Sequence, residues 1–256
     1  MTLVSLWEGT PVDVLTERWG VPMLEIHDRI GSTNDRVRDL SEEGAPPFTV
    51  VLAEEQTAGR GRSGSVWHDT AGHSLLLSIL LPRSGPVPLH LPLLVGLAGA
   101  RAVERVAPRL SVRVQWPNDL MVDGRKLGGI LCEGTRGGVV AGVGINVRQR
   151  PGDFPADLRD RALSLETAGD TEVSRATLAG ELLRELRSVV GPSSTSLLSG
   201  EALMELQARD ALLGRIVETA QEGRGMARGI APDGSLVLER ADGSRARVVA
   251  GRVRTV

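Results

Sequence analysis

Apolar positions along the chain fall into blocks with two different periods. Ser74 to Leu81 is a nearly unbroken apolar run of strand length ended by Pro82, which predicts a strand buried on both faces. Thr49 to Glu54 and Val139 to Val147 read as further strands, and Met23 to His27 as another that runs into a turn at Ile30-Gly31. Leu89 to Val106 is apolar almost all round, interrupted by Arg101, Glu104 and Arg105, and predicts a helix packed against the sheet. Leu178, Leu182, Leu186 and Val189 recur at helical spacing behind Ser174, a predicted cap. Shorter helices are expected over residues 11 to 19 and Glu201 to Ala211, and one after Ser32 or Thr33, with Asp35 in its first turn and Val37 and Leu40 on one face. Val112 to Gln115, Leu120 to Val122 and Leu127 to Cys132 are short strands. Asp123-Gly124 supplies the hairpin turn before the last of them, so Lys126 lies just past it. Residues 151 to 174 show no regular period.

Past Leu213-Gly214 the pattern changes to short strands, Arg215 to Thr219, Met226 to Ile230, Ser235 to Glu239 and Arg245 to Val249, divided by Gly-containing turns. Spacing of about ten residues between turns argues a small all-β barrel. The chain is therefore expected to be α+β, with a mixed-sheet unit over 1–211 and a barrel over 212–256.

Composition narrows the classes. With 256 residues, 41% of them hydrophobic, the chain can bury a substantial core, and a formal charge of −2 gives no bulk attraction to nucleic acid. Any anion binding must be local. One cysteine, Cys132, rules out an internal disulfide and a Cys/His zinc cluster. Four Trp, two Phe and no Tyr leave no platform of stacked rings for bases. No signal peptide or membrane-length apolar run is present, so the expectation is a cytoplasmic protein without a nucleic-acid or membrane partner.

The chemistry concentrates in a loop. Gln56-Thr57-Ala58-Gly59-Arg60-Gly61-Arg62 follows a strand, and its glycines let the main chain approach a ligand while two guanidinium groups offer planar, bidentate donors to phosphate or carboxylate. The spacing matches neither a P-loop nor a dinucleotide motif. Around the loop stand Ser32-Thr33-Asn34, Trp67, Trp116-Pro117-Asn118-Asp119, Gly124-Arg125-Lys126-Leu127-Gly128-Gly129-Ile130 and Gly142-Val143-Gly144-Ile145-Asn146. Each segment alone has an ordinary structural reading: Ser32 or Thr33 as a cap, the glycines as close packing, and Trp116 as core.

In that order, these segments make the chain, from about Ile26 to its end, resemble the biotin protein ligase family, in the monofunctional class without a DNA-binding domain, since thirty-one residues before Ser32 are too few for a winged helix. The resemblance implies a class II synthetase-like catalytic domain followed by an SH3-like barrel. It implies ATP-dependent activation of biotin to biotinyl-5′-AMP and transfer to a lysine of a biotin carboxyl carrier domain, with Mg²⁺ on the phosphates, and leaves room for a homodimer. Residue by residue, it places Ser32, Thr33, Asn34, Gln56, Gly59, Arg60, Gly61, Arg62, Lys126 and Gly129 around biotin. Arg60, Trp67, Asn118, Asp119, Lys126 and Asn146 go to ATP, with Asp119 as the metal contact, and Arg62 and Lys126 carry the catalysis. Ser63 and Ser65 stand where some members of the family carry further basic residues, so the loop is less cationic than it could be. A lipoate ligase would share the fold and the adenylation logic, but the Gly-Arg-Gly-Arg and Trp-Pro-Asn-Asp tracts favour biotin.

Overall fold

A computed structural model describes residues 2–82, 86–169, 172–190 and 197–256. A two-stranded hairpin, β1 (Leu6–Trp7) and β2 (Thr10–Pro11), leads into α1 (Val12–Trp19) and β3 (Leu24–Ile30). Then come α2 (Thr33–Glu42), β4 (Val50–Gln56), β5 (Ser74–Leu81), α3 (Leu91–Val106), β6 (Arg113–Gln115), β7 (Asp119–Val122), β8 (Arg125–Thr135) and β9 (Gly138–Asn146). Helices α4 (Leu165–Gly169), α5 (Arg175–Val189) and α6 (Gly200–Ala208) precede five further strands. These are β10 (Ile216–Thr219), β11 (Gly223–Ile230), β12 (Leu236–Glu239), β13 (Arg245–Val248) and β14 (Val253–Thr255).

The larger sheet runs β3-β4-β5-β9-β8-β7-β6 and is mixed: β3 and β4 are parallel, joined through α2, and every other pair is antiparallel. Alternation in β5 sorts its two faces. Leu75, Leu77, Ile79 and Leu81 enter the main core, while Leu80 joins Val51, Val140 and the Val37 and Leu40 of α2 in a second, smaller cluster. The face beneath α2 is the one that matters for chemistry, because Ser78, Gly142 and Gly144 lie on it. Asp123 (φ 49°) and Gly124 (φ 74°) both take left-handed backbone, as the predicted hairpin turn requires.

The smaller sheet is antiparallel in the order β13-β12-β11-β10-β14. Its 231–235 turn rests on the larger unit: Trp116, 3% exposed, donates from Nε1 to the Gly234 carbonyl at 2.9 Å. A Cβ added at Gly234 would fall 2.6 Å from the His90 backbone nitrogen.

Four features depart from expectation, the first being β14, a fifth strand of the smaller sheet past Val249. Ser32 holds the cap position of α2, but its side chain makes no capping bond, whereas Ser174 Oγ accepts from Thr177 N at 3.2 Å as predicted. The stretch from 151 contains the short α4, while Asp170 and Thr171 lie outside the described residues. The β1–β2 hairpin was not foreseen, because two-residue strands carry no period. It is held from outside by a buried ion-pair network. Arg175, its side chain 5% exposed, bonds Glu8 and Glu54 from both sides, stacks over the Trp7 ring at 5.2 Å, and brings β4 and α5 together. Among the described residues no helix is long and apolar enough to cross a membrane.

Candidate active site

The sheet face under α2 has a floor nearly free of side chains. Gly129 and Gly144 are register partners on β8 and β9, and Gly142 lies two residues further along. The Trp67 ring covers Gly144, where an added Cβ would sit 2.6 Å from Cζ2, and its Nε1 is buried without a hydrogen-bond partner among the described residues. Trp67 is brought there by Gly59, whose carbonyl accepts from Trp67 N at 3.0 Å. A flat apolar surface over a glycine floor, with an unused N–H at its edge, is suited to a planar ligand.

One end of the floor is polar. Thr33 donates its backbone N–H to Gln56 Oε1 at 2.8 Å, and its hydroxyl oxygen lies 3.1 Å from the same atom. Ser78 Oγ sits 2.7 Å from Thr33 Oγ1 and 2.6 Å from Asn34 Oδ1, while Asn34 Nδ2 donates to Glu133 Oε2 at 2.7 Å. Asn34 lies directly over Gly142, where a Cβ would come within 2.2 Å of Oδ1. Below the loop, Asp69 Oδ2 accepts from Gln56 N at 3.1 Å, and burial pushes its carboxyl above the usual range.

The other end is cationic. Lys126 Nζ bonds Asp119 Oδ1 at 2.7 Å, and both groups lie over Gly129, 3.3 and 3.4 Å from an added Cβ. Arg62 reaches Asn118 Oδ1 only at 3.5 Å, and Asn118 itself is fixed by donating Nδ2 to the Ile130 carbonyl at 2.8 Å. Burial lowers the pKa of the Arg62 guanidinium, with Asp119 as the principal opposing charge. A partly desolvated guanidinium with one long hydrogen bond is an anion site in waiting. Arg60 is placed differently: it makes a bidentate pair with Asp35 at 2.6 and 2.7 Å and approaches Glu133 at 3.6 Å. The hydrogen bonds from Arg60 hold the Asp35 carboxyl below its ordinary range. Both partners are more than a third exposed, so the pair contributes at most about 1 kcal/mol and can yield to a polyanion.

Arg60, Gly61 and Arg62 line a cleft of about 400 Å³ with Pro92, Leu131, Cys132 and Glu133. Cys132 is an inert wall there, its thiol pushed up to about 12 by burial. Asn146 donates Nδ2 to the Leu163 carbonyl at 3.0 Å, and Leu163 N in turn donates to the Lys126 carbonyl. Ser32, like Thr33 and Asn34, is buried at the start of α2. No group of three or more His, Cys, Asp or Glu gathers to hold a metal among the described residues. Asp119, with its Oδ1 engaged by Lys126, fits Mg²⁺ as a single ligand to an ion carried in on phosphates, the usual mode for that ion, and not as part of a cage.

Ser78, Asp35, Asp69 and Glu133 belong to the site without having been expected there. Only Ser78 carried a signal, as the one hydroxyl interrupting the apolar run of β5 away from its end.

A mixed sheet with a glycine floor between a hydroxyl–amide end and a cation end defines a class of α+β proteins built to hold a small planar molecule against an anion. The chain matches the Biotin/lipoate A/B protein ligase family over residues 26–149 and the Biotin protein ligase C terminal domain over 213–254, and it belongs to the biotin protein ligase family. It is 35% identical over 231 residues to the biotin--[acetyl-CoA-carboxylase] ligase of Mycobacterium tuberculosis, covering 86% of this chain and 84% of that protein. It is 37% identical over 164 residues to the bifunctional ligase/repressor BirA of Bacillus subtilis, covering 61% of this chain and 50% of that one, so it spans about half of that relative's length. Among solved structures, the biotin protein ligase from Aquifex aeolicus in complex with biotin and ATP superposes with a TM-score of 0.80 at 27% identity, covering 92% of this chain and 100% of that one. The mixed sheet and the small antiparallel sheet agree with the expected α+β class.

Proposed function

We propose that this protein activates biotin with ATP and transfers it to a lysine of a biotin carboxyl carrier domain. A biotin carboxylate oxygen attacks the α-phosphorus of ATP and pyrophosphate leaves, giving biotinyl-5′-AMP. The lysine amine then attacks the acyl carbon, AMP leaves with the bonding electrons, and the amine loses its proton. The observation that supports this best is the meeting of Arg62 and Lys126, from two distant segments, across Asn118 and Asp119. Both steps bring anions together or move negative charge, so fixed cations at that point lower the barrier. Mg²⁺ bound to the phosphates would neutralise part of their charge.

In this reading Ser32, Thr33, Asn34 and Gln56 form the ureido end of the biotin site, Gly59, Gly61 and Gly129 give the backbone its close approach, and Trp67 covers ring or adenine. Asn118, Asp119 and Asn146 serve the nucleotide side. Arg60 moves from Asp35 to phosphate as the loop closes. The catalytic part extends to about residue 211 and the barrel follows, in a cytoplasmic enzyme whose partner is the carrier domain of a carboxylase.

Incubation of the protein with ATP, biotin and a carrier domain is expected to add one biotinyl mass to the acceptor. Lipoate offered in place of biotin should leave the acceptor unmodified, and the opposite preference would overturn the reading. Protease cleavage within residues 59–66 is expected to slow severalfold when biotin and ATP are both present, as a closing loop requires. Gly144→Ala would drive a Cβ into the Trp67 ring and should weaken biotin binding about tenfold while costing about 1–3 kcal/mol of stability, measured by calorimetric titration and denaturant melts.

A further inference from the structure

We propose that Ser78 and Glu133, neither of them counted among the ligand-contacting residues, fix the order of hydrogens at the polar end of the site, so that Thr33 offers its hydroxyl oxygen only as an acceptor. The inference rests on the reading of a cyclic urea as the ligand and specifies how that urea is selected.

Glu133 comes first in the chain of cause. Its carboxylate accepts hydrogen bonds and cannot donate, so the Asn34 amide must turn Nδ2 toward Glu133 Oε2 at 2.7 Å. Leu131 O, 3.4 Å from the same nitrogen, adds only a long contact, so the choice rests on Glu133. Arg38, 3.2 Å away, holds the Glu133 carboxylate in place whether or not Arg60 stays beside it. Asn34 Oδ1 therefore faces Ser78 as an acceptor. A serine hydroxyl has one hydrogen, and Ser78 spends it on Asn34 Oδ1 at 2.6 Å. Its remaining capacity is to accept, and Thr33 Oγ1 stands 2.7 Å away, closer than the 3.1 Å separating it from Gln56 Oε1.

The Thr33 hydrogen is thus consumed inside the protein and the Thr33 oxygen keeps its lone pairs. Gln56 is oriented by the same logic: its Oε1 accepts from Thr33 N, which turns Nε2 away, toward Gly59, where an added Cβ would lie 3.4 Å from it. One acceptor and one donor are left for a ligand with a ring N–H beside a carbonyl. A fully buried Ser in the middle of β5, between Leu77 and Ile79, would otherwise cost stability for no return.

The test compares biotin with an analogue in which one ring N–H is replaced by oxygen, a cyclic carbamate. Binding is measured by calorimetry and turnover by adenylate formation. The wild-type protein should bind biotin at least about a hundredfold more tightly than the carbamate, because the carbamate sets oxygen against oxygen at Thr33. Ser78→Ala removes the nearer of the two acceptors open to the Thr33 hydrogen and leaves only Gln56 Oε1 at 3.1 Å, and Glu133→Gln lets the Asn34 amide turn over; each should shrink that preference about tenfold. The loss with biotin should appear mainly in KM. Glu133 is partly exposed, so its variant serves if Ser78→Ala folds poorly. If both ligands weaken by the same factor in the variants, or the wild-type protein does not discriminate, the proton order is wrong. Discrimination in binding without biotin transfer would leave this inference standing and remove the proposed activity instead.

Discussion

Lys126→Ala is expected to slow pyrophosphate release in a single turnover by about a hundredfold or more, the scale for losing one preorganised charge at a reacting phosphate. Two effects combine. The ammonium group that meets the incoming negative charge is lost, and the Asp119 carboxylate it holds at 2.7 Å is left uncompensated, facing the same anion over Gly129. Arg62→Gly is expected to behave differently, because among the described residues Arg62 is anchored only by a long bond to Asn118, and it belongs to the covering loop. Its loss should let biotinyl-5′-AMP escape, read as free adenylate in solution and as labelling of bystander lysines. If both variants form and retain adenylate at the wild-type rate, these side chains take no part in the reaction.

The largest stability loss is expected at Arg175→Ala, about 3–5 kcal/mol, because removing one member of a buried ion-pair network leaves the others buried and unpaired. Arg175 is the hub. It donates to Glu8 Oε1 at 3.0 Å and to Glu54 Oε2 at 2.8 Å, while Arg148 offers Glu8 a partial substitute. A urea melt gives the loss directly. The triple variant Arg175→Met, Glu8→Gln, Glu54→Gln should regain at least half of it, because no isolated charge then remains. Glu54 lies two residues before Gln56 on β4, so the single variant should also raise the biotin KM.

Much of this molecule could be read from residues alone, for identifiable reasons. Strand β5 and helices α3 and α5 announce themselves because burial on one or both faces leaves a periodic trace. The Asp123-Gly124 turn was legible because two left-handed positions in succession demand those residue types. The expectation of a cation end came from the order of several tracts: Arg62 stands in a glycine-rich loop, and only the family resemblance set Lys126 beside it. What escaped has no local trace. Glu133 matters only because β8 runs on to Thr135 and carries it beside Asn34, a contact between residues 99 positions apart. The diversion of Arg60 to Asp35 depends on the loop folding back over α2, and no spacing rule encodes it. The Glu8–Arg175–Glu54 cluster joins three segments whose charges look like ordinary surface residues in the sequence.

The seat of the 231–235 turn has a bearing on how such proteins can be recombined. Gly234 is pressed against the His90 main chain at the entrance to α3, and its carbonyl holds Trp116, which is followed directly by the Pro117-Asn118-Asp119 tract. A chimaera that received its last fifty or so residues from a cousin with any bulkier amino acid at that corner would misplace the tract and lose adenylation, even with every residue of the donor and recipient sites intact. The tail is a machined fitting and not an interchangeable appendage.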